Sequence, residues 1–317
     1  MVALGGGHGL AASLSALARL DAELTAVVTV ADDGGSSGRL RHELGAVPPG
    51  DLRMALAALA ERDEWGALWE RLLQHRFPGD GPLGGHAVGN LVLTGLEQVT
   101  GGIVPALDAV GRLVGARGRV LPASPVPLEI VADVAGLDPA DPAATTEVVG
   151  QVAVARTAGT VCALRVRPTD PPPCEEAVQA VHEADVVVLG PGSWFTSVLP
   201  HLLVPELKDA LVKTAACRVV TVNLAPQPGE TDGWSPEAHL EALAAHAPDV
   251  VPDVVLADRD AVVDSRGLMS SVQALGGRLV LEAVAVGDGT PRHDPGLLAL
   301  AYAAILDVEL KGRTAWR

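Results

Sequence analysis

Residues Ala31 to Arg41 read ADDGGSSGRLR and follow the apolar run Leu24 to Val30. Two adjacent carboxylates, Asp32 and Asp33, repel each other unless a partner, a metal ion or solvent relieves them. Ser36, Ser37 and Arg39 lie within the same short stretch, and Gly34 and Gly35 give it backbone freedom at an entropic cost. No packing requirement asks for this composition, so the segment is expected to be a ligand loop at the end of a strand. The other reading is a solvated turn.

Further strings of this kind recur along the chain. GGGHGL places Gly5, Gly6, Gly7, His8 and Gly9 between a short apolar strand and a helix. Backbone can approach a phosphate closely there, and the helix N-terminus favours its charge. Gly7, Gly9 and Ala12 match G-x-G-x-x-A loosely, and Asp32 stands about twenty residues on, where a dinucleotide fold places its ribose-binding acid. No Walker lysine accompanies the glycines, which argues against P-loop hydrolysis. In VPPGDLR, Asp51 is placed to cap the helix that follows, and Arg53 in its first turn is expected to face a phosphate or Asp32/Asp33. In GGHAVGNLVL, His86 and Asn90 are spaced to project from one helix face as a cleft wall.

GPGSWFTS repeats the strand–glycine–hydroxyl pattern with Gly190, Gly192, Ser193, Thr196 and Ser197, the hydroxyls being candidate donors to a phosphate or sugar. It contains no GxSxG elbow, which argues against a hydrolase. NLAPQPGET offers Asn223, Gln227, Glu230 and Thr231 at another strand end, to read a base or sugar. Arg292, with His293 and Asp294 before the last helix, supplies a cation that could fold back on the cleft or pair locally on the surface.

These residues need a scaffold that gathers strand ends. Apolar runs alternate with helix-period segments through most of the chain, the pattern of a parallel sheet covered on both faces. The expected fold is α/β, a Rossmann-like doubly wound, mostly parallel sheet in a single domain over residues 1–317. A β-rich, proline-punctuated stretch at 120–170 reads as an insertion or small subdomain. Expected strands include Val2–Leu4, Leu24–Val30, Leu128–Val134, Val161–Val166, Asp185–Leu189, Arg218–Asn223, Val254–Ala257 and Leu279–Val286. Expected helices are Ala11–Leu20, Leu52–Arg62, Trp65–Gln74, Val88–Val99, Cys174–Glu183 and Pro295–Lys311.

Composition narrows the partners. A formal charge of −16 argues against nucleic acid but leaves room for a small anion held locally. Cys162, Cys174 and Cys217 show no metal-site spacing and read as reduced thiols. No secretory pattern and no long uncharged apolar stretch occur, so the expectation is a cytoplasmic protein without membrane insertion. Self-association into a homo-oligomer is compatible with all of this.

GGG.GL, VTVADDGGSSGRLR, PPGDLR, GGHAVGNL, GPGSWFTS..P.LLV and QPGET together resemble the YvcK branch of the CofD-like superfamily, the gluconeogenesis factors. The resemblance implies a Rossmann-like fold and a cytoplasmic regulator that binds nucleotide sugars such as UDP-N-acetylglucosamine. It further implies a part in cell-wall and morphology control during gluconeogenic growth, without an assigned reaction. The related CofD enzymes move a phospholactyl-type group to a deazaflavin precursor with magnesium. His8, Met54 and His201 depart from the family's usual Thr, Asn and Asn. Three readings follow: a nucleotide-diphosphate binder with no resident cofactor, a transferase in which Asp32 and Asp33 hold magnesium, and an NAD(P)-binding protein.

Overall fold

The computed structural model describes residues 1–227 and 229–314. β1 (Val2–Gly5) leads into α1 (Gly7–Leu17) and β2 (Thr25–Val28), followed by α2 (Gly35–Leu44), α3 (Gly50–Leu59), α4 (Glu64–Gln74), α5 (Val88–Thr100) and α6 (Ile103–Leu113). β3 (Arg119–Pro122) then precedes β4 (Glu129–Ala135), β5 (Thr145–Val149), α7 (Gln151–Val154) and β6 (Thr160–Arg167). The second half alternates α8 (Glu175–Glu183), β7 (Val186–Leu189), α9 (Pro205–Lys213), β8 (Cys217–Thr221), α10 (Pro236–His246), β9 (Val254–Asp258), α11 (Ser265–Ala274), β10 (Arg278–Glu282) and α12 (Pro295–Thr314).

Seven strands pair in the order β10-β9-β8-β7-β1-β2-β3, every pair parallel. Chain order runs outward from β1 in one direction and resumes at β7 in the other. Direction therefore reverses between β1 and β7, where open α/β sheets hold their ligands beyond the carboxyl ends of the strands. β1 and β7 are buried along their whole lengths, so VALG and VVVL carry no alternation of polar residues. Antiparallel β5-β4-β6 forms a separate sheet in the crossover from β3 to β7.

The α/β architecture and the inserted sheet match the expectation, with local differences. The insertion's strands begin at Glu129, because Arg119–Pro122 pairs with β2 as the edge of the main sheet. α1 begins at Gly7, the glycines forming its first turn. Most of ADDGGSSGRLR is helix: α2 starts at Gly35 and stops at the left-handed Gly45. Packing against the sheet also makes helices of α6, α9, α10 and α11, which the sequence reading did not mark. Asp264 caps α11 by accepting the Gly267 N–H at 2.9 Å, and Ser235 caps α10 from the Ala238 N–H at 3.4 Å. No described helix is long and apolar enough to cross a membrane.

One buried carboxylate ties the far edge of the sheet together. Asp258, at the end of β9, accepts the N–H groups of Asp260 and Ala261 on one oxygen and of Val284 and Ala285 on the other, at 2.8–3.1 Å. Burial alone would raise its pKa, but the four backbone donors outweigh that and hold it below the ordinary aspartate value. Asp258→Asn replaces an acceptor by an NH2 facing N–H groups and should lower stability by about 2–3 kcal/mol at neutral pH. A depressed folded pKa means the wild-type advantage is complete above the ordinary value of 3.8 and fades as pH falls below it. Chemical denaturation of both proteins at neutral and acid pH measures that gap.

Candidate functional site

The glycine turns after β1 and β7 meet at the reversal point. A Cβ on Gly9 would stand 2.2 Å from the Pro191 carbonyl oxygen and 2.6 Å from Gly192 Cα, so only glycine permits this approach. Gly5 closes β1, Gly6 is the residue before α1, and Gly7 adopts φ +57. The first intrahelical bond of α1 is from the Leu10 N–H to the Gly6 carbonyl at 3.3 Å. The N–H groups of His8 and Gly9 thus emerge at the open end of the helix. Beside them lies a cleft of about 340 Å³ whose walls include His8, Gly9, Ala12, Gly192, Gln227 and Arg292. A second hollow of about 370 Å³, bounded by Trp234, His239 and Asp264, shares the Asn223–Pro226 wall with it.

Several side chains expected to touch a ligand instead hold this wall in place. Asn223 accepts the Gly192 N–H at 2.9 Å and donates to the Gly192 carbonyl at 2.8 Å, clamping Gly192 in the turn that begins at Gly190. Ser193 Oγ lies 2.6 and 2.7 Å from the two carboxylate oxygens of Glu230 and also bonds Thr196 Oγ1. Glu230 further accepts the Phe195 N–H at 2.7 Å. The expected phosphate donors are therefore engaged within the chain, Ser193 by the Glu230 carboxylate and the Thr196 hydroxyl by Ser193 Oγ. Burial raises the pKa of Glu230 against the lowering effect of these donors. Gln227 donates its backbone N–H to Thr231 Oγ1 at 2.8 Å, while its side-chain Oε1 is buried without a partner. Pro228 of the same motif lies outside the described residues.

Arg292 lines the cleft but also pairs with Asp288 at 2.6 Å, four residues earlier. Sequence reasoning named its neighbour His293 only as part of a turn. The His293 ring, a cleft residue, keeps Nε2 buried and without a partner. Burial drives its pKa down to about 4, so it is neutral in the physiological range. A histidine next to a candidate arginine carries no sequence signal for this role.

The neighbouring carboxylates Asp32 and Asp33 have different partners. Asp32 Oδ1 accepts the Gly34 N–H at 2.9 Å, and a Cβ on Gly50 would stand 2.5 Å from Asp32 Oδ2 and 2.4 Å from Ser37 Oγ. Asp33 Oδ1 accepts the Val152 N–H at 3.0 Å at the start of α7, which joins it to the inserted sheet. The acid coupled to Asp32 across the site is Asp51. Asp51 does not cap α3: that helix has no side-chain cap, and the carboxyl turns to the Gly7 N–H. Asp51 Oδ2 is buried with no hydrogen-bond partner.

His86 precedes α5 instead of lying on it, yet it reaches the same point as Asn90. His86 Nδ1 lies 2.9 Å from Ser36 Oγ, and Asn90 Nδ2 donates to that oxygen at 3.0 Å. Arg53 is 3% exposed, bonds Gln74 Oε1 and leaves Nε buried without a partner. Ser36, Arg39, Arg53, His86 and Asn90 thus form a neighbourhood bounded by α2, α3 and α5, separate from the walls of the cleft.

The model of the CofD family, described as 2-phospho-L-lactate transferase CofD, matches residues 1–274. The chain belongs to this family. Among relatives, a Mycobacterium tuberculosis (strain H37Rv) protein described in gluconeogenesis-factor terms is 54% identical over 310 residues, covering 97% of this chain and 89% of its own. The gluconeogenesis factor of Halalkalibacterium halodurans is 38% identical over 265 residues, covering 84% of this chain and 79% of its own. A crystal structure of a UPF0052 family member from Bacillus halodurans superimposes with a TM-score of 0.85 at 34% identity, covering 95% of this chain and 97% of that one. The YvcK-like motifs and the fold agree with this membership.

The pKa of Asp51 is raised to about 7, first by burial and then by the charge of Asp32, against the lowering effect of the Gly7 N–H and Arg53. A raised folded value means that wild-type stability declines as pH climbs from the ordinary 3.8 toward 7 and is level above it. Asp51→Asn keeps an acceptor for the Gly7 N–H but does not ionise. It should be the more stable protein at pH 8, by about 1–3 kcal/mol, with the gap closing toward pH 4. Thermal denaturation of the pair across that range checks the sign.

Proposed function

We propose that the cleft at the β1/β7 reversal binds a nucleotide diphosphate of the nucleotide-sugar class, such as UDP-N-acetylglucosamine, and that the chain acts as a gluconeogenesis-type regulator of cell-wall metabolism and cell shape. The observation that carries this reading is the contact of Gly9 with the Pro191–Gly192 turn. It leaves the N-terminus of α1 facing a cleft with a second hollow beside it. A diphosphate suits the helix N-terminus. The paired hollows, parted by Asn223–Pro226, offer room for a base on one side and a sugar on the other. His8, Gln227, Arg292 and His293 are the polar groups of the first hollow. The names of the relatives support the gluconeogenesis-factor part of the reading.

The unpartnered Oδ2 of Asp51 favours a second reading, a transferase of the kind named by the family model. Among the described residues no group of three or more His, Cys, Asp or Glu could hold a metal ion. A divalent ion would rest on Asp32 and Asp51 together with the ligand's own phosphate oxygens, a donor set that suits magnesium. There it would neutralise charge developing on a diphosphate leaving group. Asp33, occupied at the start of α7, would stand outside that set.

UDP-N-acetylglucosamine at a hundredfold excess over its Kd should stabilise the protein by about 2.7 kcal/mol. Ala12, one turn into α1 on the cleft wall, tests the location. Ala12→Leu should weaken binding tenfold or more while leaving the melting temperature of the free protein nearly unchanged. A thermal shift of the same size in both proteins would place the nucleotide elsewhere.

A further inference from the structure

Three arginines gather away from the cleft, around the Ser36–His86–Asn90 cluster. Arg39 donates to the carbonyl of Gly84 at 2.8 Å and to that of Pro82, while Arg76 donates to the carbonyl of Gly85 at 2.9 Å, so both guanidinium groups lie on one turn. His86 feels the charges of both, and Arg53 feels that of Arg76. Among the described residues, none of the three forms an ion pair. Nearby carboxylates are Glu43, sensed by His86, and Asp32 and Asp51, sensed by Arg53.

Mutual repulsion among guanidinium groups is unfavourable, and this chain has ample acid to relieve it, with 39 Asp and Glu against 23 Lys and Arg. Carbonyl oxygens hold Arg39 and Arg76 instead, leaving their net charge in place. The floor of the cluster is also unsatisfied. Arg53 Nε, a donor on a side chain only 3% exposed, is buried without a partner. A buried polar group left unpaired in a folded protein calls for an explanation, and a ligand atom is one.

We propose that Arg39, Arg53 and Arg76, with Ser36, His86 and Asn90, form a second anion site for the phosphate group of a small molecule, separate from the nucleotide cleft. A phosphate dianion offers three peripheral oxygens to the planar donors of these guanidinium groups. Asp51 lies between the two sites, against Gly7 on one side and coupled to Arg53 on the other. A phosphate-bearing effector or acceptor bound here would sit across Asp51 from a nucleotide at α1. The assignment does not depend on what the cleft binds.

Calorimetric titration of the full chain with inorganic phosphate tests the site, with potassium chloride at matched ionic strength as control. A parallel titration uses UDP-N-acetylglucosamine. The double variant Arg39→Gln/Arg76→Gln alters one exposed and one half-buried side chain, so its fold should survive, as circular dichroism would show. The expected result is phosphate binding by the wild type that weakens at least tenfold in the double variant and persists when nucleotide sugar is present. Equal phosphate affinity in the two proteins, absence of phosphate heat in the wild type, or competition between phosphate and the nucleotide sugar would overturn the proposal. If the nucleotide sugar binds neither protein, the cleft reading fails while the phosphate result still decides this one.

Discussion

The close approach of two backbone turns, Gly9 against Pro191 and Gly192, is the constraint from which the rest of the site follows. A parallel sheet whose winding reverses between β1 and β7 leaves a gap beyond those strands, because the connections leave in opposite directions. Ordinarily side chains would fill it. Here the absence of a Cβ lets the start of α1 and the β7 turn touch, so the gap becomes a cleft with backbone on two sides. Asn223 then holds Gly192 from both its N–H and its carbonyl, and Glu230 holds the next turn through Ser193 and Phe195. The cleft wall is a chain of polar contacts laid over an apolar sheet, and it stands only where the glycines allow.

Carboxylates do much of this holding. Asp33 secures the start of α7, Glu230 the turn after β7, and Asp258 the loops after β9 and β10, each by accepting backbone N–H groups. Turns at strand ends expose several N–H groups in one direction, and an internal carboxylate satisfies them as an external anion would. This reconciles the acidic composition with a fold whose turns present clustered N–H groups. Part of the acid fills those turns. Asp51 differs, since one of its oxygens meets nothing and its pKa is displaced toward neutrality.

Sequence patterns disclosed the architecture well because it depends on periodicity. Val186–Leu189 is apolar throughout and Leu24–Val30 is broken only by Thr25 and Thr29, as strands covered on both faces should be, and glycine marks the turns beyond β1 and β7. Helix α10 was harder to see because Ala, His and Glu residues blur its apolar stripe. The site was half legible. Composition located the turns that surround it, but a hydroxyl or amide beside a glycine looks the same whether it meets a ligand or another segment. Ser193 and Asn223 meet Glu230 and Gly192, contacts spanning 37 and 31 residues that no local pattern encodes. His86 reached the expected company by a different route, from the residues before α5.

An anionic ligand approaching a chain of charge −16 gains nothing from the overall field. On the two proposed readings, recognition rests on short-range donors: N–H groups at α1, one arginine at the rim of the cleft, and guanidinium groups around His86. Such donors are directional and act within a few ångströms, so they discriminate by shape and placement more than by charge. A neutral His293 on the cleft wall fits that scheme, for it can hydrogen-bond without adding to the charge balance. If the cleft takes the proposed nucleotide, its affinity should depend weakly on ionic strength and strongly on steric fit beside Gly9, where the two turns leave no slack.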